Sequence, residues 1–182
     1  MNLRSCAAAL SLCLSSAALA ADATDWPPEV KKVVSEKGKT VTVEGKMEDG
    51  KPIDDLSWAA NSSMACWPAT QNVNYRGNHV LYATSLPGRS IMRLKVTPKD
   101  PASNLSIWAY TVGTNNFRTP PTIQKCVSCE AEQKWDRPKK GQTQDSSRSI
   151  RLNAVGNPYN VLIGVTGPKE AAGEFTLEIA IE

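Results

Sequence analysis

Apolar and polar side chains alternate over residues 173–181, and this alternation constrains the fold more than any other feature of the chain. Every second side chain is apolar: Phe175, Leu177, Ile179 and Ile181. A period of two predicts a half-buried β-strand and excludes an amphipathic helix, whose apolar residues recur every 3.6 positions. A second run of this kind precedes a turn rich in Gly and Pro, with apolar residues at Tyr159, Val161, Ile163 and Val165. The two runs predict a β-hairpin over residues 159–181.

Further strands are predicted wherever a short apolar run stands between turn residues. The clearest runs cover residues 80–86, 91–96, 105–112 and 150–155, and earlier ones cover residues 40–47 and 53–60. The Asp49-Gly50 turn between the two earlier runs predicts a second hairpin. The chain has 11 Gly and 12 Pro, which supply the turns that many short strands need. The pattern therefore predicts an all-β protein built as an antiparallel β-sandwich.

Residues 25–38 carry a helical signal ahead of the first strand. Asp25 suits an N-cap, Pro27 suits the first turn of a helix, and Gly38 suits the residue after the last turn. Apolar residues that would share one helix face are Trp26, Val30, Val33 and Val34. We therefore expect a short N-terminal helix.

The first 20 residues have the pattern of a secretory signal peptide. Arg4 precedes an apolar stretch at residues 6–14, and the small-x-small site at residues 18–20 predicts cleavage before Ala21. The apolar stretch is shorter than the roughly 20 residues that cross a bilayer, so no membrane span is predicted. An alternative is a lipoprotein anchored through Cys13. The pattern predicts a periplasmic or extracellular protein after cleavage near Ala20.

The predicted mature chain, residues 21–182, is nearly neutral. The sequence has 21 basic and 18 acidic residues, and removal of Arg4 leaves 20 basic residues against 18 acidic ones. A nucleic-acid partner would require a strongly basic face, and this balance argues against one. The length suits a single domain with its own core.

Three cysteines remain after the signal segment: Cys66, Cys126 and Cys129. An odd number in an oxidising compartment predicts one disulfide and one unpaired thiol, and the spacing leaves open which two residues pair. The C-x-x-C at Cys126 and Cys129 resembles a redox motif, but no βαβ pattern surrounds it. With His79 the three cysteines have the ligand count of a zinc site but only half of its usual spacing. A structural disulfide is favoured, and no cofactor or metal is predicted.

The order of strands and turns in the second half of the chain resembles a known family. A Gly-Asn-His-Val-Leu-Tyr strand leads to Leu-Pro-Gly-Arg-Ser and to a strand ending in Thr-Pro-Lys-Asp, and Asn-Leu-Ser-Ile-Trp and Gly-Glu-Phe-Thr-Leu-Glu-Ile follow. Together these segments resemble the bacterial pre-peptidase C-terminal domain. The resemblance implies a jelly-roll-like β-sandwich over residues 75–182, here in a stand-alone form with an N-terminal extension at residues 21–74. Members often have an Asp pair where this chain has Ser103 and Asn104, so the resemblance leaves calcium binding open.

A long insertion at residues 114–148 is predicted as the place for a binding site, because binding residues concentrate on loops of a rigid sandwich. It holds seven basic residues against four acidic ones. Within residues 134–140, Trp135 stands among Lys and Arg residues. The candidate binding residues are Trp135, Arg137, Lys139 and Lys140. Such a group suits an anionic polymer or a flat sugar face. The alternative is a solvated loop whose Trp packs back on the sandwich.

The sequence contains none of the short catalytic motifs of hydrolases or phosphate-binding enzymes. The adjacent Asp54 and Asp55 would point to opposite faces of a strand, which places them poorly for joint acid–base chemistry. Trp108 is expected in the core, whereas Trp58 and Trp67 suit either a disulfide cover or a surface. We therefore expect a non-enzymatic binding or accessory module whose partner is an envelope or extracellular polymer or protein. The alternatives are a structural or assembly protein and a secreted hydrolase.

Overall fold

The computed structural model describes residues 25–137 and 139–182, and the predicted signal segment lies outside the described residues. Most of the regular structure is β-strand. The strands are β1 (Val30–Lys32), β2 (Thr40–Lys46), β3 (Lys51–Pro52), β4 (Asn78–Leu86), β5 (Ser90–Pro98), β6 (Ser106–Val112), β7 (Ser128–Glu132), β8 (Arg148–Ala154), β9 (Tyr159–Thr166) and β10 (Glu174–Ile181). A short helix, α1 (Trp58–Asn61), and the 3-10 helices Met47–Asp49 and Ala69–Tyr75 lie between β2 and β4.

The strands form two sheets that pack face to face as a sandwich. The larger sheet has the order β1-β4-β9-β6-β7, with β3 paired to β4, and the smaller one has the order β2-β10-β5-β8. The strand pairs are antiparallel except for β1 with β4. The all-β antiparallel sandwich predicted from the sequence is therefore confirmed.

Strand β10 has the buried face that its alternation predicts. Its four apolar side chains, at residues 175, 177, 179 and 181, are at most 2% exposed. Leu177 lies opposite Val96 and Ile179 lies opposite Leu94 on the neighbouring strand β5. Both rows point into the core between the sheets, where each large apolar side chain that leaves water contributes roughly 1.5–3 kcal/mol to folding.

The predicted C-terminal hairpin is wrong, because β9 and β10 belong to different sheets. Strand β9 lies between β4 and β6 in the larger sheet, whereas β10 lies between β2 and β5 in the smaller one. The turn between them, which contains Gly and Pro, therefore connects the two sheets and does not join two paired strands. Alternation identifies the buried face of a strand but does not identify its neighbour.

The predicted N-terminal helix is also wrong. Residues 30–32 form β1, an edge strand that pairs in parallel with β4, and the N–H of Val33 donates to the carbonyl of Ala83. Pro27 belongs to a turn, since its carbonyl accepts from the N–H of Val30. β-branched valines favour an extended backbone, and the free edge of β4 satisfies their backbone groups. The one α-helix of the described chain lies elsewhere, at α1.

The predicted hairpin of residues 40–47 with 53–60 does not form either. Strand β2 is present as expected, but it pairs with β10, and β3 pairs with β4. The chain after β3 turns into α1, where Asp55 accepts a hydrogen bond from the N–H of Ser57 and Trp58 is buried. An Asx-type turn of this kind competes with the strand that the apolar residues suggest.

A second core lies on the outer face of the larger sheet. The segment between β3 and β4 covers this face, so every residue of β6 is buried. Trp108 of β6 is fully buried, as expected, and its ring lies against Gly164 of β9, where a Cβ atom would come within 2.1 Å of the indole. Trp58 and Trp67 are buried in the same cluster, and Trp67 stacks on Tyr75 with ring centroids 3.9 Å apart.

Candidate functional site

The basic segment, which we define as residues 134–140, lies within the connection between β7 and β8. Strand β7 is an edge of the larger sheet and β8 is an edge of the smaller one, so this connection passes from one sheet to the other. Strand β7 itself lies inside the insertion that the sequence predicts as irregular, and it pairs with β6. The two edges are tied together, because the carboxylate of Glu132 accepts from the N–H of Ser149. The connection therefore begins at one sheet edge and ends at the neighbouring edge of the other sheet.

The charged side chains of the basic segment are exposed, whereas its indole is not fully so. Arg137, Lys139 and Lys140 are exposed, and Trp135 is half-buried. The Nζ atom of Lys139 lies 4.0 Å from the centroid of the Trp135 ring, which is a cation–π contact. One face of the indole is thus covered by a cation of the same segment, and a sugar that stacked on that face would have to displace Lys139.

Arg148, at the start of β8, is the buried basic residue of the insertion. It is 3% exposed, and its Nη1 atom donates to the carbonyl oxygen of Asp145 at 2.9 Å. Burial holds the pKa of this guanidinium below its ordinary value, although the group stays charged in any folded protein. Sequence analysis counted Arg148 only as one charge among seven. The signal that identifies it is its phase, since it shares the inward positions of β8 with Ile150 and Leu152.

Of the three cysteines among the described residues, Cys66 and Cys129 form a disulfide and Cys126 is free. The number of bridges matches the prediction, and the structure decides the pairing that the sequence left open. The C-x-x-C is not a redox pair here, because Cys129 is bonded to Cys66, which lies 63 residues earlier in the sequence, and not to Cys126. Burial raises the pKa of the Cys126 thiol to about 11, so this thiol is protonated and weakly nucleophilic at neutral pH.

His79 is a buried structural residue. Its Nε2–H donates to the carbonyl oxygen of Tyr75 at 2.8 Å, and its Nδ1 accepts from the indole N–H of Trp108 at 3.2 Å. Burial lowers its pKa to about 4, so the ring is neutral. Both ring nitrogens are engaged and two of the cysteines are bonded to each other, so the zinc site weighed from the sequence is not formed.

Three further findings concern metal ions, the adjacent aspartates and membrane spans. Within residues 25–137 and 139–182, no three His, Cys, Asp or Glu side chains gather closely enough to hold a metal ion. Asp55 caps the turn before α1, and Asp54 is exposed. The α-helix of the described residues spans four residues, which is far below the length that crosses a bilayer.

Comparison with known proteins finds likeness in three dimensions only. No protein-family model and no curated protein matches the chain in sequence. The pre-peptidase C-terminal domain of collagenase from Bacillus anthracis is 10% identical with a TM-score of 0.39, over 87% of this chain and 99% of that one. The copper-binding surface-associated protein CorA of Methylomicrobium album BG8 is 10% identical with a TM-score of 0.47, over 84% and 98%.

A third solved structure is PliG of Aeromonas hydrophila, a periplasmic inhibitor of g-type lysozyme. It is 10% identical with a TM-score of 0.41, over 84% of this chain and 97% of that one. The domain from Bacillus anthracis is of the kind that the strand and turn order of the sequence resembles. At these identities, and with TM-scores below 0.5, the likenesses bear on neither the ligand nor the partner of this chain.

Proposed function

We propose that the chain is a non-enzymatic binding module that acts outside the cytoplasm and holds an anionic polymer on its basic segment. The observation that carries this proposal is the arrangement of the segment itself. Three exposed cations follow Trp135, and one of them lies over the indole ring. The indole covered by Lys139 favours an anionic ligand over a stacked sugar, because the face that would bind a sugar is already occupied.

Action outside the cytoplasm is supported by two features. The disulfide between Cys66 and Cys129 is of a kind that persists in oxidising compartments. The first 20 residues carry the signal-peptide pattern described above. A polymer of the cell envelope or exterior is therefore the expected partner, and phosphate-rich and carboxylate-rich chains are the two chemistries that a cluster of Lys and Arg would bind.

Binding to immobilised polymers tests the proposal directly. Polyphosphate, polygalacturonate and neutral dextran serve as the phosphate-rich, carboxylate-rich and uncharged probes. We expect the double variant Lys139→Gln/Lys140→Gln to lose binding to the anionic probes, with little change toward dextran. The matched control is Lys51→Gln/Lys125→Gln, which removes the same charge at two exposed positions elsewhere.

If the two double variants bind the anionic polymers equally well, the proposal is refuted, because the net charge of the protein alone would then explain the binding. Equal binding to dextran and to the anionic polymers would refute it as well. In either case the alternative of a structural or assembly role, with no ligand on the basic segment, would gain support. A folded state in both variants is checked by the cooperativity of their unfolding.

A further inference from the structure

Arg148 occupies a position in the fold that normally belongs to an apolar side chain. Strand β8 alternates between buried and exposed residues, and Arg148 shares its buried phase with Ile150, Leu152 and Ala154. It lies opposite Val96 of β5, whose side chain is fully buried. The guanidinium is therefore directed toward the interior at the edge of the smaller sheet that β8 forms.

The hydrogen bonds of this guanidinium are incomplete. Its Nη1 atom donates to the carbonyl oxygens of Asp145 and Ser147, but its Nε atom is buried and has no partner among residues 25–137 and 139–182. Within the described residues, no carboxylate lies within 4.0 Å of it, since the ion pairs there are formed by other residues. The charge is consequently buried without a counter-charge in contact.

The two carboxylates that act on Arg148 from a distance are both engaged elsewhere. Glu132 accepts from the backbone N–H of Ser149. The Oδ1 atom of Asp145 accepts from the N–H of Ser147 at 2.8 Å and from its hydroxyl at 2.7 Å. Neither carboxylate forms an ion pair with Arg148, and within the described residues the Nε atom has no acceptor, so this atom is free to donate to a bound anion.

A second buried donor without a partner occurs four residues earlier. The side-chain nitrogen of Gln144 is buried and makes no hydrogen bond to the part of the chain that the structure describes. A buried N–H without an acceptor destabilises the folded state, and it does so more when the group is charged. Both unmatched atoms are donors, so the missing partner is an acceptor, and the uncompensated charge on Arg148 favours an anion over water.

We infer that Arg148 and Gln144 anchor an oxyanion site at the end of the same β7–β8 connection that carries the basic segment. The ligand group is a compact oxyanion, either a free ion such as phosphate or the phosphate or carboxylate group of a polymer. The inference deepens the proposed function: the exposed cations at residues 134, 137, 139 and 140 attract the anion, and the buried donors hold one of its charged groups. The stretch 134–148 has five basic residues against two acidic ones, which supplies the attracting field.

Thermal unfolding with inorganic phosphate tests the site, with sodium chloride at matched ionic strength as the control. The wild-type midpoint should rise and saturate with phosphate, because an ion that binds only the folded state stabilises it. Arg148→Met keeps the length of the side chain without its charge, and we expect it to abolish the response. Gln144→Leu should weaken phosphate binding by about tenfold, the loss expected for one charge-assisted hydrogen bond.

Several results would overturn the inference. One is an equal effect of phosphate and chloride on the wild-type protein, and another is a phosphate response in Arg148→Met as strong as in the wild type. If Arg148→Met fails to fold, Gln144→Leu decides, and an unchanged phosphate affinity in that variant counts against the site.

The proposed function and this inference fail in different ways. Polymer binding that is lost in Lys139→Gln/Lys140→Gln but unchanged in Arg148→Met and Gln144→Leu would support the proposed function and overturn the oxyanion site. A phosphate response that depends on Arg148, in a protein that binds neither polyphosphate nor polygalacturonate, would support the site for a free anion and overturn the polymer-binding function. Loss of polymer binding in Arg148→Met and in the double lysine variant would support both.

Discussion

Lowering the pH from 7 to 5 should destabilise this protein through His79. His79 is 4% exposed, and its Nδ1 atom accepts a hydrogen bond from the indole of Trp108. Protonation would place an N–H where the ring now accepts one, and it would bury a charge. The folded pKa of His79 is about 4, whereas its ordinary value is 6.5. The unfolded chain therefore binds the proton more tightly than the folded one.

The sign and size of the effect follow from this difference. The stability due to neutral His79 is fully present above pH 6.5 and is lost as the pH falls from 6.5 toward 4. The complete difference corresponds to about 3 kcal/mol, and the part that falls between pH 7 and pH 5 is about 2 kcal/mol. This is a large share of the roughly 5–15 kcal/mol by which domains are stable.

Urea unfolding followed by tryptophan fluorescence measures the loss, with the disulfide kept intact. The control is His79→Gln, which keeps a donor for the carbonyl of Tyr75 and removes the histidine, which is the only one in the chain. That variant should be less stable at pH 7, since the Trp108 indole loses its acceptor, but its stability should change less between pH 7 and pH 5. Carboxylates titrate alike in both proteins and cancel in the comparison. Equal pH dependence in the two proteins would refute the account of His79.

Three further predictions concern the bridge, the core and the basic segment. Replacing Cys66 with Ser should lower the free energy of unfolding in urea by about 4 kcal/mol, because the disulfide closes a loop of 63 residues. Thiol labelling of the mature chain, residues 21–182, should modify one cysteine before reduction and three after it. Leu177→Ala should cost about 2–5 kcal/mol in the same assay, and a value below 1 would contradict its place in the core. Lys139→Gln should weaken polyphosphate binding mainly at low salt, because the Debye length falls to about 8 Å at physiological ionic strength and the charge is then screened; an equal loss of affinity at all salt concentrations would contradict this account.

The sequence predicts the strands of this fold better than their partners. Residues in β4, β5, β6, β8, β9 and β10 alternate or cluster in ways that reveal a buried face, and the structure contains a strand at each place. Pairing is decided by which faces meet across the core, and consecutive strands such as β9 and β10 pair with strands that are distant in the sequence. Short-range pattern carries no information of that kind.

The site was predictable only in its exposed part. The basic residues around Trp135 can be identified from the amino-acid sequence. The burial of Arg148, in contrast, depends on which face of β8 points inward and on the edge strand β7 beside it. The pairing of Cys66 with Cys129 likewise depends on the segment that covers the outer face of the larger sheet. The N-terminal helix failed for a similar reason, since a neighbouring strand edge outweighed local capping signals.

The position of β10 in the smaller sheet has a consequence for folding kinetics. This strand lies between β2 and β5, and no pairing joins β2 to the other strands of that sheet in its absence. A nascent chain that has not yet released residues 174–181 therefore lacks the centre of the sheet, although β2 was made more than a hundred residues earlier. The chain loses entropy when so long a loop closes, and it loses it before the contacts of β10 can form. We therefore expect slow folding for a domain of this size. We also expect the smaller sheet to form only after residues 174–181 have been synthesised.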